Sequence, residues 1–350
     1  MTTYEDDPIL YLPRKDVEMA CKELDSVAII REVFRLHGSG QTHLPDEAYL
    51  GWTNARGESV RNLNMPGHIG GSWHIAGTKI INANIHNPTR GQPRASGVTL
   101  LYDDTSARVL CIMEGAYISS LRTASVTALA ADLLHGPEIQ CAAMIGAGAL
   151  ARAHIDLLAQ RLPHLRRILL FELAAERVTA LQRDVTPLLQ ARNVELQVTA
   201  TAEEAIRQAQ LIVPVTTTTE GYIHFDWLQR GSLLVNISLD DPLPEVIFKA
   251  DKVIVDDWNL VKNDSRRLLG QMYRQGQVIG PDDPLPAAAT HCRRVDAQLG
   301  NIVAGTKPGR RHTDDIILVN PFGLAIEDIA LAAHVYQAAR DLGLGTPLER

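Results

Sequence analysis

The sequence predicts an α/β fold in which a doubly wound parallel sheet is joined to a smaller α+β domain. Three observations carry this expectation. From about residue 140 apolar runs alternate with helical segments, which requires crossover connections and so parallel strands. Ahead of that, residues 46–115 hold short strand-like runs separated by Gly, Pro and Asn, the texture of antiparallel pairing. The length of 350 residues, finally, allows roughly two domains of ordinary size.

Composition narrows the function classes. Apolar residues make up 45% and charged residues 21%, as in ordinary globular chains. With 34 basic against 41 acidic residues the net charge is −7, which argues against nucleic acid or an anionic membrane surface as a partner. Cys21, Cys111, Cys141 and Cys292 are scattered without a C-x-x-C, so neither a zinc site nor a disulfide framework is expected, only reduced and mostly buried thiols. No metal site is expected elsewhere, because the histidines lack ligand spacing. His86, His224, His291 and His312 read as surface or structural. The start, MTTYEDDP, lacks a basic flank with an apolar run behind it, and no stretch approaches the roughly 18 apolar residues of a membrane helix. A cytoplasmic protein is the expectation.

In chain order, residues 14–37 read as one early helical region with apolar positions every three or four residues. TKIINANI and GVTLLYD read as strands. SSLRTASVTALAADLL reads as a long Ala-rich helix that opens at Ser119 and Ser120, either a fitting cap. CAAMIGAG is a strand entering a glycine turn, and ALARAHIDLLAQRL its helix. RILLFEL, VELQVTAT, LIVPVTTT, GSLLVNISL and KVIVDD continue the strand series, with helices at ERVTALQRDVTPLLQARN and AEEAIRQA. The tail GLAIEDIALAAHVYQAARDLG reads as a helix that packs back on the first domain.

Gly146-Ala147-Gly148-Ala149-Leu150-Ala151 is a G-x-G-x-x-A that leaves a strand and opens a helix. The first glycine makes the turn, the second admits a pyrophosphate to the backbone, and the helix N-terminus faces the phosphates. Glu172, closing the next strand, is placed to accept both adenosine-ribose hydroxyls and to repel a 2′-phosphate. Together these predict a Rossmann-type domain that binds NAD rather than NADP, with Arg152 and Arg177 the features that keep NADP open. A plain strand–helix turn is the bland alternative.

Four further groups invite a chemical reading. Ser119 to Thr123 put small polar residues and Arg122 at the expected helix start, either an anion site or a capped helix with a solvated arginine. Arg61, Lys79 and Arg94 are cations on or beside strands, read as a site for a carboxylate-rich ligand or, singly, as snorkelling surface groups. Thr216 and Thr217 lie at a strand end where the chain passes under a dinucleotide, or form a simple loop. Asp240, after the strand LLVNISL, is placed for proton transfer or belongs to ordinary turn chemistry with Asp241-Pro242.

Taken together, Lys79 in GTKIINANIHNP, SSLRTASVTALAADLL, IGAGALA, Glu172, VTTTT, Asp240 and the segment from Asn320 to Asp328 resemble the ornithine cyclodeaminase/μ-crystallin family across nearly the whole chain. The resemblance implies a substrate-binding and dimerisation domain from residues 1–124 and 321–350, and an NAD-binding Rossmann-type domain from residues 125–320. It implies a homodimer, and cofactor contacts from Arg122, Thr123, Gly146, Gly148, Ala149, Leu150, Glu172, Thr216, Thr217 and Ser238. RNLNMPGHIGG, PRASGVTLLYD, FDWLQRGSLLVNIS, KADKVIVDDW and TDDIILVNPFGLAIEDIA are similar to one branch. Its members oxidatively cleave N-(2-amino-2-carboxyethyl)-L-glutamate to 2,3-diaminopropionate and 2-oxoglutarate in siderophore and antibiotic pathways. For that chemistry the resemblance implies Asp240 as proton shuttle and Lys79 as carboxylate holder and proton-transfer aid. Arg61, Arg94 and Phe322 complete the substrate site. Two departures separate the chain from the cyclodeaminases. Their ornithine-carboxylate arginine has no clear counterpart, with Arg61 and Arg56 the nearest, and Pro244 stands where they carry a lysine. An ornithine cyclodeaminase, another amino-acid dehydrogenase or imine reductase, and a non-catalytic NAD(P)H binder are the alternatives.

Overall fold

The computed structural model describes residues 8–284 and 292–350; the acidic start and His291 lie outside them. The chain divides into two compact units, Met1–Arg122 with Leu324–Arg350, and Thr123–Gly323.

The first unit is built on strands β1 (Ile9–Leu12), β2 (Thr42–His43), β3 (Ala48–Thr53), β4 (Ser59–Ile69), β5 (Ile75–Asn84), β6 (Ala95–Asp103) and β7 (Val109–Glu114). β3 to β7 form an antiparallel meander, while β1 joins β7 in parallel and the closing strand Thr346–Leu348 joins β1. Pro66 sits inside β4 without breaking it. On one side β4 pairs with β3 up to Asn64 and with β2 from His68, so the missing N–H of Pro66 falls between the two partners. The helix Ala325–Asp341 packs on β4, β5 and β6 and on two amino-terminal helices. Its approach is close because Gly67 and Gly77, opposite each other in β4 and β5, have no side chains to hold it off. A Cβ on Gly67 would stand 3.2 Å from Ile329, and one on Gly77 would stand 2.5 Å from the Leu100 carbonyl.

Residues 14–37, expected as one helical region, form two helices, Arg14–Cys21 and Ser26–Gly38. The reason is Asp25, whose carboxylate accepts from Val27 N and Ala28 N at 3.1 Å and so starts a second helix. The Ala-rich helix also differs. It runs Gly115–Leu134, opening a turn before Ser119. Glu114 supplies the cap, accepting from Ala116 N and Tyr117 N at 3.0 Å each. Ser120 instead donates back to the Ala116 carbonyl at 2.9 Å.

The second unit carries β8 (Cys141–Ile145), β9 (Arg167–Phe171), β10 (Glu195–Val198), β11 (Leu211–Pro214), β12 (Leu233–Val235), β13 (Lys252–Val255), β14 (Val278–Ile279), β15 (Arg293–Arg294), β16 (Ala297–Gln298) and β17 (Ile317–Val319). Eight of them make one sheet in the order β10-β9-β8-β11-β12-β17-β13-β16, every neighbour parallel. β8, β11, β12, β13 and β17 are buried along their whole length, as strands with both faces covered must be. This is a Rossmann-type doubly wound sheet. Its order reverses between β8 and β11, the switch point where such sheets bind ligands.

Cys21, Cys111 and Cys141 are buried free thiols and Cys292 is half-buried. Burial pushes Cys21 and Cys111 up to about 12, so neither is a nucleophile at neutral pH. Among the described residues no helix is long and apolar enough to cross a membrane, and no group of three His, Cys, Asp or Glu could hold a metal ion.

Candidate functional site

In the second unit the chain leaves β8 through Gly146 at φ +108°, a conformation that favours glycine, and Gly146 N donates to the Phe171 carbonyl at 2.8 Å. A Cβ here would sit 3.1 Å from the Val215 carbonyl. Gly148 then caps the helix Ala149–Arg161, with no side-chain hydrogen bond and no acidic residue in the first turn. A Cβ on Gly148 would meet nothing within 4 Å. Gly148 and Ala149 are exposed and Leu150 is half-buried. An uncapped helix end beneath an open glycine fits the phosphates of a dinucleotide. Glu172, past the end of β9, accepts from Ala147 N at 2.9 Å and from Ala174 N at 3.1 Å, so its carboxylate is fixed beside the turn. Arg152 is drawn to Asp184, at 3.1 Å, and to Asp156.

Beyond β11 and β12 the loops interlock. Thr216 N donates to Ser238 Oγ at 3.1 Å and Thr216 Oγ1 to Asp241 Oδ1 at 2.7 Å, while Tyr222 Oη donates to the same oxygen at 2.9 Å. Asp241 is fully buried, and burial pushes its carboxyl above the usual range despite these hydroxyl donors. Thr217 is exposed. Asp240, preceded by Leu239 at φ +78°, is engaged by a cation: Arg267 donates to Oδ2 at 2.7 Å and Leu268 N to Oδ1 at 3.0 Å. The carboxylate lies at the edge of a small cleft lined also by Gly221, Pro242, Leu243 and Gln271. Phe322 packs half-buried against this unit's core, next to Gly323, whose N–H donates to the buried Asp256 at 2.6 Å.

In the first unit Lys79 stands in the middle of β5, paired with Met65 and Thr99 and only 2% exposed. Its Nζ lies 2.7 Å from Asp328 Oδ2 and 3.5 Å from Ser119 Oγ. Arg122 reaches Glu327 at 2.6 Å and Asp328 at 3.3 Å, and both carboxylates are fully buried. Burial holds the Lys79 ammonium below its ordinary range, Arg122 adds to that, and Asp328 opposes it. Arg122 thus does not mark a helix N-terminus open to anions: Glu114 has taken the first N–H groups, and Arg122 and Thr123 lie well inside the helix. Arg61 shares the sheet face of Lys79, paired with Ala83, and is half-buried. Arg94 precedes β6, held by its carbonyl to Asn84 N at 2.9 Å.

Sequence reasoning brought Lys79 and Arg122 forward separately and missed that Glu327, Asp328 and Arg267 engage them and Asp240. The signal for the first two was present: adjacent acids in the otherwise apolar run AIEDIALAA. For Arg267 no local signal existed.

Comparison with known proteins follows the same lines. The model of the ornithine cyclodeaminase/mu-crystallin family matches residues 10–343. The chain is 34% identical to N-((2S)-2-amino-2-carboxyethyl)-L-glutamate dehydrogenase of Staphylococcus aureus, over 97% of this chain and 98% of the relative. It is 26% identical to an alanine dehydrogenase of Archaeoglobus fulgidus, over 97% and 98%. Among solved structures, CmnK superposes with a TM-score of 0.87 at 35% identity, covering 98% of each chain.

Proposed function

The chain belongs to the ornithine cyclodeaminase/mu-crystallin family, and from that premise we propose an NAD-dependent oxidoreductase acting on a C–N bond of an amino-acid-derived substrate. Its reaction is the oxidative cleavage of N-(2-amino-2-carboxyethyl)-L-glutamate to 2,3-diaminopropionate and 2-oxoglutarate. The observation that carries this reading is the 34% identity to the Staphylococcus aureus dehydrogenase, sustained over 97% of the chain. The open glycine turn and uncapped helix agree with it.

Gly146, Gly148, Ala149 and Leu150 would hold the diphosphate, Glu172 the ribose hydroxyls, and Thr216, Thr217 and Ser238 the nicotinamide side; Arg122 and Thr123 join on the family motif. NAD, when bound, supplies the acceptor for the hydride lost from the glutamate Cα. The remaining chemistry belongs to the protein. Asp240, bonded to Arg267, takes a proton from the water that adds to the substrate imine and returns it to the departing amine. Lys79 holds a substrate carboxylate and aids proton transfer, which its lowered pKa suits. Arg61 and Arg94 answer the other carboxylates, and Phe322 lines the site.

We also infer a cytoplasmic homodimer joined through the first unit. Every residue of β3 is exposed, including Tyr49, Leu50 and Trp52, an apolar strand that a second copy would cover. A substrate panel followed by NADH absorbance tests the function. Turnover of the glutamate conjugate and not of ornithine, alanine or proline is expected; turnover of one of these instead, or of none, overturns the substrate assignment.

A further inference from the structure

Lysine in the middle of a sheet, under a helix, is not a packing choice. The charged groups that act on Lys79 are Arg122 from the helix Gly115–Leu134, Asp328 from the helix Ala325–Asp341, and Glu47 ahead of β3, while Glu327 beside Asp328 pairs with Arg122. Asp328 reaches both cations: one oxygen, Oδ2, lies 2.7 Å from Lys79 Nζ and 3.3 Å from Arg122 Nε. Its second oxygen, Oδ1, is buried with no hydrogen-bond partner among the described residues. An ion pair kept for stability would satisfy both oxygens, since an orphaned buried acceptor is costly. The arrangement fits a carboxylate retained for what it does to the two cations.

We propose that Asp328 is a positioning residue that fixes Lys79 and Arg122 in one array and holds the Lys79 ammonium in its charged form. The proposal rests on the reading that Lys79 works in the reaction. With Asp328 neutralised, two cations would be left with Glu327 and Glu47 in a nearly sealed space. Arg122 does not release its proton, so Lys79 would.

The sign of the effect does not depend on the role of Lys79. Whether the reaction needs it charged or neutral, the limb of the pH–rate profile that it controls moves to lower pH when Asp328 loses its charge. In D328N we expect that limb, and the titration of Lys79 read by side-chain 15N NMR and assigned with K79R, to fall by about one pH unit or more. E327Q, which touches Arg122, should move both less. A folded D328N whose Lys79 titrates as in the wild type overturns the proposal. Should D328N fail to fold because it strands the ammonium, the K79Q/D328N double variant restores folding. A double variant as unstable as the single overturns the proposal as well. If the wild type oxidises none of the amines tried, the functional reading falls, while the NMR titration still decides the pairing.

Discussion

The two units bury ionisable groups by different rules. In the first, charge answers charge: Lys79 and Arg122 face Glu327 and Asp328. In the second, two deeply buried groups are answered by dipoles. Asp241 has the hydroxyls of Thr216 and Tyr222, and His154 has the Thr127 hydroxyl at 2.9 Å and the Leu150 carbonyl at 2.7 Å. Burial drives Asp241 up and His154 down, each toward its neutral form. Neutral donors can satisfy geometry without compensating the desolvation of a charge. Asp240, one residue from Asp241, is bonded to the Arg267 guanidinium instead.

The largest test of this contrast is acid. The folded pKa of His154 is about 4, against an ordinary value of 6.5. The unfolded chain therefore takes up a proton that the folded chain refuses. The contribution is complete above pH 6.5 and is lost as pH falls toward 4, at most about 3 kcal/mol in all. Urea unfolding at several pH values should show this slope in the wild type and a shallower one in His154→Gln. Equal slopes would mean that another group governs acid sensitivity.

Next in size is Asp240→Asn, which keeps shape and removes the base. Turnover should drop by roughly a hundredfold or more, while NADH affinity measured on the same folded protein stays near that of the wild type. Near-normal turnover would leave Lys79 as the proton-transfer group and make the first unit's array the chemical one. Gly146→Val sharpens a different part of the second unit. A β-branched residue at φ +108° with its Cβ 3.1 Å from the Val215 carbonyl must shift the turn, and NADH binding should weaken about tenfold or more by titration. The smallest effect concerns Glu172. NAD should bind more tightly than NADP, and Glu172→Ser should narrow the gap by several-fold; tighter NADP binding by the wild type would point to Arg177.

Much of the second unit was legible because its signals are local. A strand buried on both faces is a continuous apolar run, and CAAMI, LIVP and KVIV announce themselves. A glycine turn followed by a helix is written in six consecutive residues. The first unit was less legible at its centre. Lys79 meets Asp328 across 249 residues, and no periodicity links the two. The helix start was misplaced for an instructive reason. Ser119 and Ser120 have the chemistry of a cap, but Glu114 reaches the free N–H groups first, and a serine within a helix spends its hydroxyl on the carbonyl four residues back. The split of residues 14–37 turns on Asp25 alone, a polar residue that helical spacing counts only as a gap in an apolar stripe.

The bare strip formed by Gly67 and Gly77 has a consequence for how the protein is made. The sheet face that carries it is covered by Ala325–Asp341, a helix that leaves the ribosome only after the whole of Thr123–Gly323. During synthesis the second unit, an unbroken stretch of chain, has all its parts first, and the older strands wait with an apolar surface and the Lys79 ammonium uncovered. Birth order and the order in which the units are completed are thus reversed. The first part of the chain to appear is the last to close, and the residues that close it, Glu327 and Asp328, are the same ones that neutralise its buried cations.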